Sequence, residues 1–227
     1  MTNPSPSWLR AAARRLGTLW PAKLLGISAG MTLFFIGYFW LLHHPARDAI
    51  VMPLTALDHW IGFHPAALPL YLSLWVYVSL APGLTANRRE LTAYAVAALG
   101  LAVAGLGFFK AWPTRVPPFD LTWAPDSPFA FLKNIDAAGN ACPSLHVAFA
   151  VFTAFVFARQ LRQLCAGPAA LGLNWLWCAG IVYSTMATRQ HVFLDVIAGT
   201  ALGAAFAVAY LLGCRRAGPR PAGSPQG

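Results

Sequence analysis

The sequence predicts an all-α fold: a polytopic membrane protein with six transmembrane helices packed as a bundle. Two observations carry that expectation. The 227 residues are 58% hydrophobic and only 10% Asp, Glu, Lys and Arg, whereas a soluble domain carries about 25% charged residues. The apolar residues also gather in runs, and roughly 20 apolar residues in a helix cross the hydrocarbon layer of a bilayer. The formal net charge of +9 invites comparison with nucleic-acid-binding proteins. The basic residues, however, punctuate the apolar runs and do not line one soluble face with interleaved aromatics, so their pattern points to a bilayer.

Each element follows from the order of the chain. Residues 1–23 form a basic N-terminal segment with Arg10, Arg14 and Arg15. In it Trp8, Leu9, Ala12, Leu16, Leu19 and Trp20 recur at near-helical spacing, which suits either an interfacial amphipathic helix or a frayed tail. Residues 24–214 form the membrane domain, with apolar runs at about 24–42, 66–84, 91–109, 143–157, 169–188 and 192–212. The first run exceeds a signal-peptide core and has no small-residue cleavage site after it, so it reads as a retained span. The fourth is short, and the residues around Ser144 and His146 are expected to lie inside its helix. Residues 53–63 read as a short helix lying along the surface. Residues 215–227, rich in Arg, Gly and Pro, read as a disordered tail. Cys142, Cys165, Cys178 and Cys214 form no CxxC pair and no zinc spacing, and no disulfide is expected.

Six spans put both termini on one side. That side holds Arg10, Arg14, Arg15, Lys23, Arg88, Arg89, Arg159, Arg162, Arg215, Arg216 and Arg220, eleven basic residues against five opposite: Arg47, Lys110, Arg115, Lys133 and Arg189. The bias places the termini in the cytoplasm, which in a bacterial inner membrane directs the other loops to the periplasm. Those loops, at about 43–65, 110–142 and 188–191, carry or border all six histidines and hold Asp48, Asp58, Asp120, Asp126 and Asp136. Loops of such length between spans are often functional. The aromatics Trp112, Phe119, Trp123, Phe129 and Phe131 either line a lateral entry or form an interfacial belt.

Three clusters fall at span ends on the outward side. His191 and Asp195 stand at i and i+4, on one helical face. A carboxylate there accepts the proton of one ring nitrogen, fixes the tautomer and leaves the other nitrogen as a nucleophile; the same pair also serves as a structural pin for a helix end. A carboxylate one turn inside an apolar helix is a functional candidate. Pro143 suits the first turn of a helix, which puts Ser144 and His146 at a helix start, where backbone N–H groups bind anions. Ser144 is a candidate hydroxyl donor and His146 a candidate general acid and base. Lys110, Arg115 and Arg189 supply positive charge of the kind that stabilises a transferring phosphoryl group, or else are snorkelling interface anchors. A metal site is the rival reading. It needs a third protein ligand, for which His43, His44, His59 and His64 offer no ligand spacing beyond the adjacent His43–His44 pair.

These residues resemble the type 2 phosphatidic acid phosphatase (PAP2) superfamily, whose motifs run roughly K-x6-R-P, P-S-G-H and S-R-x5-H-x3-D. Here they stand as Lys110-x4-Arg115-Val116-Pro117, Pro143-Ser144-Leu145-His146 and Ser184-Thr185-x5-His191-x3-Asp195. The first is two residues short, Leu145 replaces the usual Gly, and Thr185 replaces the motif Arg, with Arg189 a substitute from the far side of the turn. In these features the chain is similar to the inositolphosphotransferase-like sphingolipid synthase branch. The resemblance implies a six-span catalytic domain with no cofactor and no metal. It implies that His191 attacks phosphorus to form a phosphohistidine, that Asp195 orients it, and that His146 protonates the leaving oxygen and then activates the acceptor. It further implies that Lys110, Arg115, Ser144 and Arg189 hold the phosphate. The expected partner is a lipid phosphate in the bilayer, and the expected activity is lipid phosphatase, with phosphotransfer to a lipid or sugar hydroxyl as the alternative. A non-enzymatic lipid transporter is the reading from another class. Oligomeric state is not legible from the sequence.

Overall fold

The computed structural model describes residues 7–118 and 139–216. Among them the fold is helical, and its strand content is one short parallel pair, β1 (Ile50–Val51) with β2 (Thr114–Arg115). The helices in chain order are α1 (Ser7–Gly17), α2 (Trp20–His43), α3 (Ala56–Ile61), a 3-10 turn (Pro65–Ala67), α4 (Leu68–Leu72), α5 (Leu74–Gly83) and α6 (Arg88–Ala111). After the undescribed stretch come α7 (Leu145–Gln163), α8 (Pro168–Ala187) and α9 (Phe193–Arg216). Phe119, Trp123, Phe129, Phe131, Lys133 and the tail from residue 217 lie outside the described residues.

Five segments are long and apolar enough to cross a membrane: α2, Pro65–Gly83, α6, α7 and α9. They bear Leu25, Leu33, Val96, Leu99 and Val103, each more than 60% exposed. In water so much open apolar surface would be a liability, whereas a bilayer covers it. The fifth apolar run of the sequence forms α8, whose 20 residues reach about 30 Å at 1.5 Å per residue. It is not among the five, because Asn174, Ser184 and Thr185 interrupt its apolar character. Those groups face inward: Tyr77 donates to Asn174 Oδ1 at 2.7 Å, and Asn174 Nδ2 donates to the Ala154 carbonyl at 3.0 Å.

The second apolar run is not one smooth helix. Its 3-10 start and α4 are separated from α5 at Ser73, whose hydroxyl donates to the Leu70 carbonyl at 2.6 Å and accepts from Trp177 Nε1 at 2.9 Å. Such local side-chain bonding competes with a regular ladder. The fourth run continues beyond the sequence-based boundary, to Gln163. Of the two readings of the N-terminus, the amphipathic helix is the one present, as α1.

Helix α7 is the axis of the bundle. It buries residues on every side, Val147, Ala150, Phe152, Ala154 and Val156 among them, and packs against α5, α6, α8 and α9. Its closest neighbour is α9. A methyl group placed on Gly199 would strike the Ser144 carbonyl, and one on Gly203 would strike that of Ala148. Small residues four apart let two membrane helices bring their backbones together. At the opposite end Lys23 joins the ends of α1 and α5: its ammonium donates to the carbonyls of Arg15 (2.6 Å), Gly83 (2.7 Å) and Thr85 (2.9 Å). Cations at helix C-termini satisfy the last carbonyls and the negative end of the dipole.

Gly199→Ala is expected to destabilise the protein by about 1–3 kcal/mol, since a backbone carbonyl cannot yield to the added methyl. Gly26→Ala, where the methyl meets open space, is expected to be neutral or slightly stabilising. Melting temperatures in detergent compare the two.

Candidate active site

The site is built on two helix starts. At the first, Ser144 is the N-cap of α7; its Oγ accepts from Val147 N at 3.3 Å, satisfying one of the orphan donors of the first turn. Its own N–H donates across the interface to the Asp195 carbonyl at 3.0 Å. Ser144 is fully buried, and its hydroxyl oxygen serves the helix start.

His146 follows in that turn. Its ring lies flat on Tyr71 of α4, with centroids 4.0 Å apart and planes 9° apart, and Trp75 meets it edge-on at 5.8 Å. Nε2 stands 3.2 Å from the Tyr71 carbonyl. A carbonyl only accepts, so Nε2 carries the hydrogen and Nδ1 holds the lone pair, an assignment made from this hydrogen bond. Leu145, at the place of the motif glycine, turns away from the site into α6, where the absent side chain of Gly105 leaves it room.

The second helix start is that of α9. The chain leaves α8 in a Schellman turn: Arg189 N–H bonds Met186 O at 2.9 Å and Gln190 N–H bonds Thr185 O at 3.0 Å. The left-handed position is held by Arg189, with φ 57°, where glycine is the default. A bulky residue there costs about 1–2 kcal/mol, and such strain concentrates at functional positions. Thr185, at the place of the motif Arg, is buried; its hydroxyl donates to Val182 O at 2.8 Å and its carbonyl also accepts from His191 N at 3.1 Å. It shapes the turn. Arg189 reaches back to α3, donating to the Asp58 carbonyl at 3.0 Å. Burial pulls its pKa below the ordinary guanidinium value, and the Asp58 carboxylate opposes that shift.

Asp195 is fully buried. Its Oδ2 accepts from Val192 N at 3.0 Å and lies 3.6 Å from His191 Nδ1, the face-sharing pair that the i, i+4 spacing predicts. As the third residue of α9 it reaches back to the residue before the helix, in the manner of a capping box, and sits at the positive end of the helix dipole. The Cys142 thiol lies against the same carboxyl; burial and then the Asp195 charge push its pKa up to about 11, so it is a protonated neighbour. The Ser144 N–H to Asp195 carbonyl bond sets the turn of His146 beside the turn of His191.

The other two predicted phosphate ligands stand further out. Arg115 is exposed on β2, but its neighbour Val116 packs in one small cluster with Ala141 and Val192, which brings its backbone to the rim of the site. Lys110, at the end of α6, points toward α2, with Nζ 5.9 Å from the Trp40 ring centroid. The rival metal ligands do not converge: His43 and His44 bond carbonyls of their own helix, His59 is exposed on α3, and His64 N–H ties the next loop to Ala187 O at 2.8 Å. Among the described residues no three His, Cys, Asp or Glu side chains are placed to hold a metal ion.

Sequence reasoning missed Tyr71 and Asp58. Tyr71 lies 75 residues from His146 in an apolar run and carries no local signal. Asp58 does carry one: Thr55-x-x-Asp58 is a capping-box pattern, and the box is formed at the start of α3.

A family model described as the PAP2 superfamily matches residues 91–218. That is more than half of the chain, and the chain belongs to the PAP2 superfamily. Membership supports a phosphatase- or phosphotransferase-type function. No curated protein and no solved structure matches it.

Two substitutions at Asp195 separate its duties. Asp195→Ala leaves Val192 N–H buried without an acceptor and is expected to lose about 1–3 kcal/mol of stability, read as a lower melting temperature in detergent. Asp195→Asn keeps an acceptor, and its stability is expected to stay near wild type while turnover of a phosphate ester falls on the order of 10²- to 10⁴-fold.

Proposed function

We propose that this chain is an integral-membrane lipid phosphatase working through a phosphohistidine on His191. The observation that carries the reading is the junction of the two helix starts: one hydrogen bond, from Ser144 N–H to the Asp195 carbonyl, fixes the turn bearing His146 against the turn bearing His191 and Asp195. Two imidazoles, one with a buried carboxylate at its Nδ1, beside an arginine, suit phosphoryl transfer, in which catalysis is positioning and charge stabilisation.

In this reading Asp195 holds the His191 proton on Nδ1, so Nε2 presents its lone pair to phosphorus. The P–N bond forms as the ester P–O bond breaks in line, and His146, entering this step as the imidazolium with a proton taken up on Nδ1, gives that proton to the departing lipid oxygen. His146, now neutral, takes a proton from water; the water oxygen attacks phosphorus, the P–N bond breaks and inorganic phosphate leaves. The Tyr71 ring stacked on His146 and the Tyr71 carbonyl at its Nε2 fix the orientation of the imidazole. Arg189, with Arg115, Lys110 and the Ser144 hydroxyl, would carry the equatorial oxygens. With an alcohol in place of water the same steps transfer the group, and Leu145 in the motif is the feature that favours this second reading.

The membrane arrangement belongs to the same proposal. Helix α8 is the sixth span, since its length matches the hydrocarbon layer and its polar groups are paired inside the bundle. The excess of Lys and Arg at the α1, α5–α6, α7–α8 and C-terminal ends supports a cytoplasmic location for the termini, with the site at the opposite, periplasmic face of a bacterial inner membrane.

Purified protein given phosphatidate, phosphatidylglycerophosphate or an isoprenyl diphosphate is expected to release inorganic phosphate with no acceptor present and with EDTA added. Release only on adding an alcohol selects the transferase reading. His191→Ala is expected to abolish turnover and His146→Ala to reduce it by about 10²- to 10⁴-fold. No turnover by wild type with any of these lipids, with or without acceptor, sinks the enzyme reading, and full activity in His191→Ala sinks the phosphohistidine reading.

A further inference from the structure

We infer that Asp58, on the short surface helix α3, is a positioning residue for this site, holding both the start of α9 and the Arg189 guanidinium. The inference rests on the phosphohistidine reading. Asp58 is 2% exposed, although it comes from a loop on the outward side. Its Oδ1 accepts from Phe193 N at 2.8 Å. Its Oδ2 accepts from Thr55 N at 2.8 Å and Thr55 Oγ at 2.7 Å. Its own carbonyl accepts from Arg189 Nη1 at 3.0 Å.

Each bond has a separate consequence. Phe193 is the first residue of α9, and its N–H has no partner within the helix; Asp58 supplies one from 135 residues away. With Asp195 bonded to Val192 N, two carboxylates now hold consecutive N–H groups immediately after His191. The Thr55 bonds form the capping box that sets the pitch of α3, and thereby fix where the Asp58 carbonyl stands. That carbonyl is a partner of the long Arg189 side chain. A buried carboxylate is costly unless its oxygens are filled; here three donors fill them, and the Arg189 guanidinium, bonded to the backbone carbonyl, adds opposite charge nearby. The charge is therefore spent on joining α3, the Schellman turn and α9, the three pieces that carry or flank Arg189 and His191.

The role differs from general stiffening in what it predicts for a phosphate mimic. Orthovanadate, which takes up the five-coordinate geometry of phosphoryl transfer, reports on the cation and the nucleophile together. Its inhibition constant does not depend on the fraction of protein that is folded. Asp58→Ala is expected to weaken vanadate inhibition about 10- to 100-fold, the worth of one charge-assisted hydrogen bond. Asp58→Asn, which keeps an acceptor for Phe193 N–H but loses one for Thr55 N–H, is expected to fall between Ala and wild type. In an Arg189→Gln background, Asp58→Asn is expected to add little further loss, because the two residues act through one contact.

Vanadate constants for Asp58→Asn and Asp58→Ala equal to wild type overturn the inference, as does full additivity with Arg189→Gln. Should the Ala variant fail to fold, the Asn variant decides alone. A wild type that turns over substrate but ignores vanadate, or a His191→Ala variant that remains active, condemns the phosphohistidine reading itself and is distinct from either outcome.

Discussion

The hydrogen bond from Ser144 N–H to the Asp195 carbonyl is the contact on which the rest of the site depends. It joins the start of α7 to the first turn of α9, 51 residues further along the chain, and it forms only because the two backbones approach closely at Gly199. A side chain there would hold the helices apart, and His146 and His191 would sit on unrelated surfaces. In the proposed mechanism the small residues of α9 therefore matter to the chemistry, since the distance between two helix axes sets the distance between two imidazoles.

A second constraint is the treatment of charge inside an apolar bundle. An ionised side chain at membrane depth costs about 2.5–3.5 kcal/mol on insertion scales, and this fold spends its buried acids at helix starts. Asp195 meets Val192 N–H and His191; Asp58 meets Phe193 N–H and Thr55. The dipole of α9 favours both. Lys23 repeats the principle at the other end with reversed sign, a cation among helix C-terminal carbonyls. Polar groups that face each other across the bundle, such as Tyr77 and Asn174, are paired with one another or with backbone.

The bundle was legible in the sequence because apolar runs translate directly into helices in a bilayer, and the i, i+4 placement of His191 and Asp195 is a local property of one helix. The PAP2 resemblance rested on the same local spacing, and the family match over residues 91–218 agrees with it. What escaped was long-range. Nothing near His146 announces that Tyr71 will lie against its ring, because the break at Ser73 that aims α4 depends on Trp177. Leu145 is an anomaly in its motif until Gly105 is seen opposite it. Thr185 was judged as an absent arginine, yet its carbonyl closes the turn that presents Arg189. Lys110 reads as a site cation from sequence, while in the structure the end of α6 directs it toward Trp40.

The most direct measurement is to capture the covalent species. Protein mixed briefly with a lipid carrying labelled phosphate, quenched in alkali and digested should yield label on the peptide containing His191, stable to base and labile to acid. No label should appear in His191→Ala. Label on a serine or carboxylate, or turnover with no labelled peptide under any quench, would mean that the ring at the start of α9 is not the nucleophile.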